Sequence, residues 1–233
     1  ISDNYKFYEI KESYGKEMVT GFIKLNGVTV GAVANRTKTF DESGTVIEEF
    51  ESVLTTAGCE KAAEFIGFCD AFQIPLLTLT NVEGYKASLE EEKTIGKAAG
   101  KLTYAFANAT VPKVNVITGK AFGSGYLTMN SKSIGADQVF AWENAKIGMM
   151  DSALAAKIIY VDEIAGAENS SALLKEKASE YDKLQTSVTS AARRGYVDTI
   201  IEAKNTRKYV IGAFEMLFTK REDRPSKKHG TVL

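Results

Sequence analysis

Residues 111–126 read VPKVNVITGKAFGSGY, a short apolar run followed by a glycine-rich segment. Residues 111–118 predict a strand buried on both faces, and residues 119–125 predict a turn that opens a helix at Tyr126. Glycines let backbone approach closely, and the first turn of a helix has N–H groups without intrahelical partners. Such a segment can hold an anion or the developing oxyanion of a carbonyl. The alternative is that the small residues only let helix and strand pack closely.

A second loop upstream can face this segment. Residues 74–80 (IPLLTLT) predict another buried strand, and residues 81–85 (NVEGY) follow it. Gly84 allows a positive φ, so the N–H of Gly84 or Tyr85 can point outward; an ordinary connection between strand and helix is the alternative. Because ligands of α/β proteins gather at the carboxyl ends of strands, these two loops are the candidate site.

The rest of the chain alternates strand and helix patterns. Asn26-Gly27 joins two apolar runs, residues 19–25 and 28–34, and predicts a hairpin. Residues 37–56 are charged and predict a surface excursion, and residues 138–142 and 146–150 predict a second hairpin. Two stripes of apolar residues at helical spacing predict two buried helices: Ala62, Phe65, Ile66, Cys69 and Phe72, and Ile95, Ala98, Leu102, Ala105 and Ala109. Helical patterns also cover residues 152–160, 172–190 and 204–218, with a break at residues 195–201. This order predicts an α/β layer architecture with right-handed crossovers.

Composition excludes several functional classes. The 233 residues carry a formal net charge of −1, which gives no electrostatic footprint for nucleic acid. A single histidine, His229, excludes multi-histidine metal sites and most hydrolase triads, so no metal site is expected. Two cysteines, Cys59 and Cys69, fit a reducing compartment, and we expect a cytoplasmic protein. We also expect one domain that is a piece of a longer protein, because no initiator methionine is present.

Five blocks of sequence carry a family resemblance. They are residues 21–34 (GFIKLNGVTVGAVA), 61–80 (KAAEFIGFCDAFQIPLLTLT), 104–126 (YAFANATVPKVNVITGKAFGSGY), 191–198 (AARRGYVD) and 227–230 (KKHG). Together they resemble the biotin-dependent acyl-CoA carboxyltransferases, and more narrowly the C-terminal half of the propionyl-CoA carboxylase β-subunit, the transcarboxylase large subunit and the decarboxylase α-subunits. The resemblance implies an α/β crotonase-like ββα spiral with C-terminal helices, in which residues 1–233 form the biotin-side domain.

The resemblance also implies a chemistry that needs no histidine. A carboxyl group passes between carboxybiotin and the α-carbon of an acyl-CoA, and backbone N–H groups hold the biotin ureido oxygen. Carried over by position, Gly84, Tyr85, Ser124 and Gly125 supply these donors, and Gly123 shapes the turn. The implied partners are a biotin carboxyl carrier protein, an N-terminal carboxyltransferase domain, and biotin carboxylase or membrane decarboxylase subunits, in a homo-oligomer.

Departures from the family pattern keep alternatives open. The family's first loop usually reads Asp-Val-Pro-Gly-Phe, and here Glu83 places a negative charge where one should develop. The second usually reads Tyr-Gly-Gly-Ala-Tyr, and Ser124 is compatible with the role if its φ is negative. A sodium-pump acyl-CoA decarboxylase α-subunit and a non-catalytic assembly module therefore stay open. A hydratase is disfavoured, because Glu83 alone offers an acid on these loops.

Other prominent side chains have structural interpretations. We expect Cys69 in the core and Trp142 in the core or an interface. Residues 90–92 (EEE) predict the solvated first turn of a helix. Arg193 and Arg194 could face a carboxylate or phosphate, but exposed salt bridges are the favoured interpretation. His229 is expected to be solvated.

Overall fold

A computed structural model describes residues 1–41 and 43–223. Its strands are β1 (Tyr8–Glu9), β2 (Met18–Leu25), β3 (Val28–Asn35), β4 (Lys38–Phe40), β5 (Val46–Glu49), β6 (Val53–Leu54), β7 (Leu76–Val82), β8 (Gly84–Tyr85), β9 (Lys113–Phe122), β10 (Gln138–Trp142), β11 (Lys146–Gly148) and β12 (Thr199–Ile201). Its α-helices are α1 (Thr56–Ala71), α2 (Ile95–Asn108), α3 (Gly123–Thr128), α4 (Ser152–Ile159), α5 (Val161–Gly166), α6 (Ser170–Tyr181), α7 (Val188–Arg193) and α8 (Thr206–Met216). No helix in these two ranges is both long and apolar enough to span a bilayer.

The main sheet has the order β1-β2-β3-β7-β9-β10-β12, and β11 pairs with the C-terminal end of β9. β1, β2 and β3 are antiparallel, and the pairs from β3 onward are parallel. The predicted hairpin is confirmed: Asn26 and Gly27 have φ of 52° and 81°, the left-handed conformation that a two-residue type I′ turn requires.

Helices cover both faces of the sheet. One apolar cluster lies between the sheet and α1 and α2, and another lies between the sheet and α8. The predicted stripe on α1 is confirmed for Ala62, Phe65, Ile66 and Cys69, which are buried. It is wrong for Phe72, which is 66% exposed because α1 ends at Ala71 and Phe72 lies outside the helical pattern.

Two predictions around β9 are wrong. The expected hairpin of residues 138–142 and 146–150 is instead β10 and β11, which both run parallel to β9 and pair with successive parts of it. The expected turn over residues 119–125 is mostly strand, because β9 continues to Phe122 between β7 and β11. Pairing on both sides outweighs the weak strand propensity of Gly119, and α3 begins at Gly123.

The C-terminal third is more broken than its helical pattern suggests. The predicted helix over 172–190 consists of α6, a π-helical turn (Asp182–Thr186) and α7. The Thr186 hydroxyl bonds the Asp182 carboxylate at 2.6 Å, and Ser187 caps α7. The predicted break at 195–201 contains β12, whose partner β10 is distant in sequence. Trp142 is half-buried against α8, where its Nε1 donates to Thr206 at 2.9 Å, so it packs at the edge of the core, the first of the two expected positions.

Candidate functional site

The first loop (residues 81–85) leaves the carboxyl end of β7 and is fixed by a short parallel pairing. Gly84 and Tyr85 form β8, which pairs with β6 at the end of the surface excursion. Gly84 has a φ of 159°, which is extended backbone and not the predicted turn conformation. The Lys86 N–H donates to the Leu54 carbonyl at 2.9 Å. Because successive N–H groups of a strand point to opposite sides, the Tyr85 N–H points away from β6.

The second loop (residues 119–125) depends on backbone conformation. Gly123 has a φ of 57°, and a Cβ there would lie 3.1 Å from the Met149 carbonyl oxygen. Gly123 therefore shapes this turn, as predicted. Ser124 is exposed and keeps a negative φ. The first N–H groups of α3, from Gly123 to Gly125, have no acceptor inside the helix.

The structure brings the two loops into contact. A Cβ built on Gly125 would lie 3.1 Å from Gly84 Cα and 3.2 Å from the Gly84 carbonyl oxygen. The Tyr85 hydroxyl lies 2.8 Å from the Thr128 hydroxyl, which in turn donates to the Ser124 carbonyl at 2.8 Å. Gly84, Tyr85 and residues 123–125 thus form one corner, which we call the loop corner.

Asn81 joins the two loops, a role that the sequence pattern did not predict. Its Oδ1 accepts the Lys120 N–H at 2.9 Å, and its Nδ2 donates to the Ser52 hydroxyl at 3.3 Å. A Cβ on Gly119 would lie 2.6 Å from that Oδ1, so only glycine fits there. The side chain fills the register shift between β7 and β9. An amide residue directly after a buried strand was the available signal.

Glu83 does not stand as an isolated negative charge. Lys120 Nζ lies 2.7 Å from Glu83 Oε1, so an ion pair spans the two loops. Both side chains are less than half exposed. The expected electrostatic conflict at the loop corner is therefore reduced by a cation from the second loop.

A cavity of about 660 Å³ opens beside the loop corner. Its lining residues come from the start of α3, from β11 and from the helices that follow, namely Gly123, Ser124, Tyr126, Leu127, Ser133, Ile147, Gly148, Met149, Tyr181, Gln185, Ala191, Arg194 and Tyr196. Of the candidate residues, Gly123 and Ser124 line it, whereas Gly84, Tyr85 and Gly125 lie beside it.

The model of the carboxyl transferase domain family matches residues 1–232. The chain belongs to this family. It is 42% identical to a putative propionyl-CoA carboxylase beta chain of Bacillus subtilis, over all of this chain and 44% of that protein. It is 40% identical to the methylmalonyl-CoA decarboxylase subunit alpha of Propionigenium modestum, over all of this chain and 43% of that protein.

Solved structures support the same membership. A transcarboxylase 12S structure aligns with a TM-score of 0.90 at 39% identity, over 99% of this chain and 43% of that one. The beta subunit of a P. aeruginosa geranyl-CoA carboxylase aligns with a TM-score of 0.79 at 24% identity, which bears on fold alone. The predicted crotonase-like α/β fold is confirmed. The chain spans less than half the length of these curated relatives.

Buried polar groups support α3 in this carboxyl transferase domain. The Thr80 hydroxyl donates to Asn115 Oδ1 at 2.8 Å, and Asn115 Nδ2 donates to the Met129 carbonyl at 3.3 Å. Asn130, directly after, donates to the Thr78 hydroxyl at 3.1 Å. This network lies in a low-dielectric interior, where hydrogen bonds are strong, although Asn130 Oδ1 has no partner among the described residues. It therefore fixes the end of α3, and with it the backbone of residues 123–125.

Other candidates of the sequence analysis have structural roles. Burial raises the pKa of the Cys69 thiol to about 12, so Cys69 is a protonated packing residue, as expected. Residues 90–92 are not merely solvated, because Glu91 accepts the N–H and hydroxyl of Thr56 and so caps α1. In the described part of the chain, no three potential metal ligands cluster. His229 and residues 227–230 lie outside the described residues.

Proposed function

We propose that residues 1–233 form the biotin-side, C-terminal domain of a biotin-dependent acyl-CoA carboxyltransferase. The reaction moves a carboxyl group between carboxybiotin and the α-carbon of an acyl-CoA. The observation that carries this proposal is the apposition of Gly84 and Gly125, which places the ends of two βα loops in contact. Family membership over residues 1–232 gives independent support.

The main-chain amides of the loop corner are the functional groups. The proposed donors are the Tyr85 N–H and the N–H groups of Ser124 and Gly125, with Gly123 shaping the second turn. The Gly84 N–H, expected as an alternative donor, lies on the β6 side of the short pairing, so Gly84 contributes close contact with Gly125 instead. When bound, carboxybiotin supplies the transferable carboxyl group and a ureido oxygen that accepts hydrogen bonds. Fixed donors aimed at an oxygen that gains charge are worth about 3–4 kcal/mol each. The loop corner suits such an oxygen because its donors are main-chain groups, whose positions are fixed by the fold and not by side-chain rotamers.

The Glu83–Lys120 ion pair has two consequences for this role. It offsets the negative charge that would oppose a developing oxyanion. It also pairs the Glu83 carboxylate with a cation, and this carboxylate is the group on these loops that a hydratase would need as an acid or base. The contact therefore favours carboxyl transfer over hydration.

The remaining components come from other chains or domains. We propose biotin on a carrier protein, an N-terminal carboxyltransferase domain that holds acyl-CoA, and a cytoplasmic homo-oligomer with biotin carboxylase subunits. The transcarboxylase 12S structure is described as a hexamer in a multienzyme core, which supports an assembly of this kind.

A sodium-pump decarboxylase α-subunit is the second candidate, with membrane decarboxylase subunits as partners. Its support is the 40% identity to a methylmalonyl-CoA decarboxylase subunit alpha, which is close to the 42% identity to the putative propionyl-CoA carboxylase beta chain. Turnover of malonyl-CoA, methylmalonyl-CoA and glutaconyl-CoA by the full-length protein, with and without added biotin carboxylase, separates the two. Turnover of none of them would contradict both and support the assembly module.

A binding experiment tests the domain itself. Fluorescence polarisation should show that a biotinylated lysine peptide binds this chain more tightly than the same peptide without biotin. Gly125→Val should weaken that preference at least tenfold, because the new side chain would push Gly84 away. Gly100→Val is the matched control, since a Cβ there meets nothing within 4 Å. Equal binding of both peptides would contradict the proposal.

A further inference from the structure

The cavity beside the loop corner contains a charged side chain that the proposed mechanism does not use. Arg194 lines this cavity, and within residues 1–41 and 43–223 it has no ion-pair partner, contrary to the exposed salt bridge expected from sequence. Its guanidinium instead donates to Gln185 Oε1 at 2.5 Å. It is also the one charged residue among the described residues that line the cavity.

Gln185 gives this arginine a defined position. It lies in the π-helical turn Asp182–Thr186, and insertions of this kind are frequent at functional sites. That turn is held by the Asp182 carboxylate, which receives Lys146 at 2.9 Å and the Thr186 hydroxyl at 2.6 Å. One N–H of the guanidinium is engaged by Gln185, which leaves the others for a ligand.

A second polar group faces the same cavity. Tyr126 is only 5% exposed and lines the cavity, and no group of the described chain hydrogen-bonds its hydroxyl. Burial, and then the neighbouring Tyr196, raise the pKa of Tyr126 to about 12, so the phenol keeps its proton at neutral pH. The Tyr126 oxygen is not among the fully buried atoms without a partner in the described residues, so the hydroxyl keeps some access and can donate to a ligand in the cavity.

We propose that this cavity binds a carboxylate, with the Arg194 guanidinium as its cation and the Tyr126 hydroxyl as a further donor. A planar guanidinium fork matches a carboxylate, and one cation balances one carboxylate. The apolar side of the cavity, formed by Leu127, Ile147 and Met149, fits a short hydrocarbon body. The inference rests on the proposed function, because a transferred carboxyl group gives the substrate this chemistry.

Isothermal titration of this 233-residue chain with malonate, malonamide and inorganic phosphate tests the site. Malonate should bind at least tenfold more tightly than the neutral diamide and more tightly than phosphate. Arg194→Gln should weaken malonate about 10- to 100-fold, as expected for a charge-assisted hydrogen bond. Tyr126→Phe should weaken it about three- to tenfold. The matched control is Arg193→Gln, which removes a neighbouring exposed arginine that does not line the cavity and should change the affinity less than twofold.

Several outcomes overturn the inference. They are equal affinity for malonate and malonamide, tighter binding of phosphate, or equal losses in Arg194→Gln and Arg193→Gln. If Arg194→Gln does not fold, amide shifts in the unmodified chain decide, because malonate must perturb Ser124 and Tyr196 and not a distant glycine such as Gly27. The titration contains no biotin, so its failure leaves biotin binding at the loop corner intact and is distinguishable from failure of the proposed function.

Discussion

The two loops of the site reach the same corner by different physical means. The first loop is held by hydrogen bonds to its neighbours, through Asn81, the β6–β8 pairing and the Glu83–Lys120 ion pair. The second loop is held by conformation and close packing, through the left-handed Gly123 and the contact of Gly125 with Gly84. Steric changes should therefore disrupt the second loop most, and removal of polar groups should disrupt the first.

The largest expected effect is on the second loop. Gly123→Ala should lower the free energy of unfolding by about 2–3 kcal/mol, because alanine is strained at a φ of 57° and its Cβ meets the Met149 carbonyl. Urea unfolding measures it. The control is Gly67→Ala, at an open position within α1, which should raise stability by up to about 1 kcal/mol. Similar changes in the free energy of unfolding for both variants would contradict the claim that the left-handed Gly123 holds this loop.

An intermediate effect is expected for the first loop. Asn81→Ala leaves the Lys120 N–H without its acceptor, and should cost about 1–3 kcal/mol in urea unfolding. It should also shift the amide resonances of Ser124 and Gly125, because Asn81 fixes the register of β9. The control Asn169→Ala removes the cap of α6 and should cost about 1 kcal/mol without moving those resonances. Unmoved resonances in Asn81→Ala would mean that it does not position the second loop.

A smaller effect is expected for the ion pair. Because Glu83 and Lys120 are each more than one-third exposed, a double-mutant cycle with Glu83→Gln and Lys120→Met should give a coupling below about 1 kcal/mol. Binding of the biotinylated peptide should respond differently, falling in Lys120→Met and recovering in the double variant. Equal affinity in all four proteins would show that this charge has no influence on the corner.

The smallest expected effect concerns Tyr126 at high pH. Its pKa is raised from 10 to about 12 in the folded state, mainly by burial, so its contribution to stability is complete below pH 10. That contribution is lost as pH rises from about 10 to 12, because the unfolded phenol ionises first. Tyr126→Phe should therefore lose less stability than the unmodified chain between about pH 10 and 12. If the free energy of unfolding changed equally with pH in both proteins, the Tyr126 pKa would be the same in the folded and unfolded states.

Local signals were sufficient for much of this fold. The Asn26-Gly27 hairpin and the buried strands depend on neighbours in sequence, and the structure confirms them. The two glycine-containing loops were located correctly, but the turn over residues 119–125 was wrong because β9 continues to Phe122. The parallel placement of β11 along β9 and the late strand β12 depend on partners far away in the chain, so the pattern of residues 146–150 and 195–201 could not show them. For the same reason, the sequence could not show that Arg194 and Tyr126 line one cavity.

The same division holds within the site. Gly123 could be recognised because a turn before a helix favours glycine. The requirement for Gly119 could not, because it arises from contact with Asn81. Whether Glu83 opposes or tolerates an oxyanion depended on Lys120, 37 positions further along the chain.

The central claim is that one ligand oxygen is held by amides of both loops. A ¹⁵N-resolved NMR titration of the isotopically labelled chain with biotin tests it most directly. The account predicts that the amides of Gly84 or Tyr85 and of Ser124 or Gly125 shift together, with one dissociation constant, while Gly27 and Gly195 stay unchanged. Shifts confined to one loop, or different constants for the two loops, would contradict it.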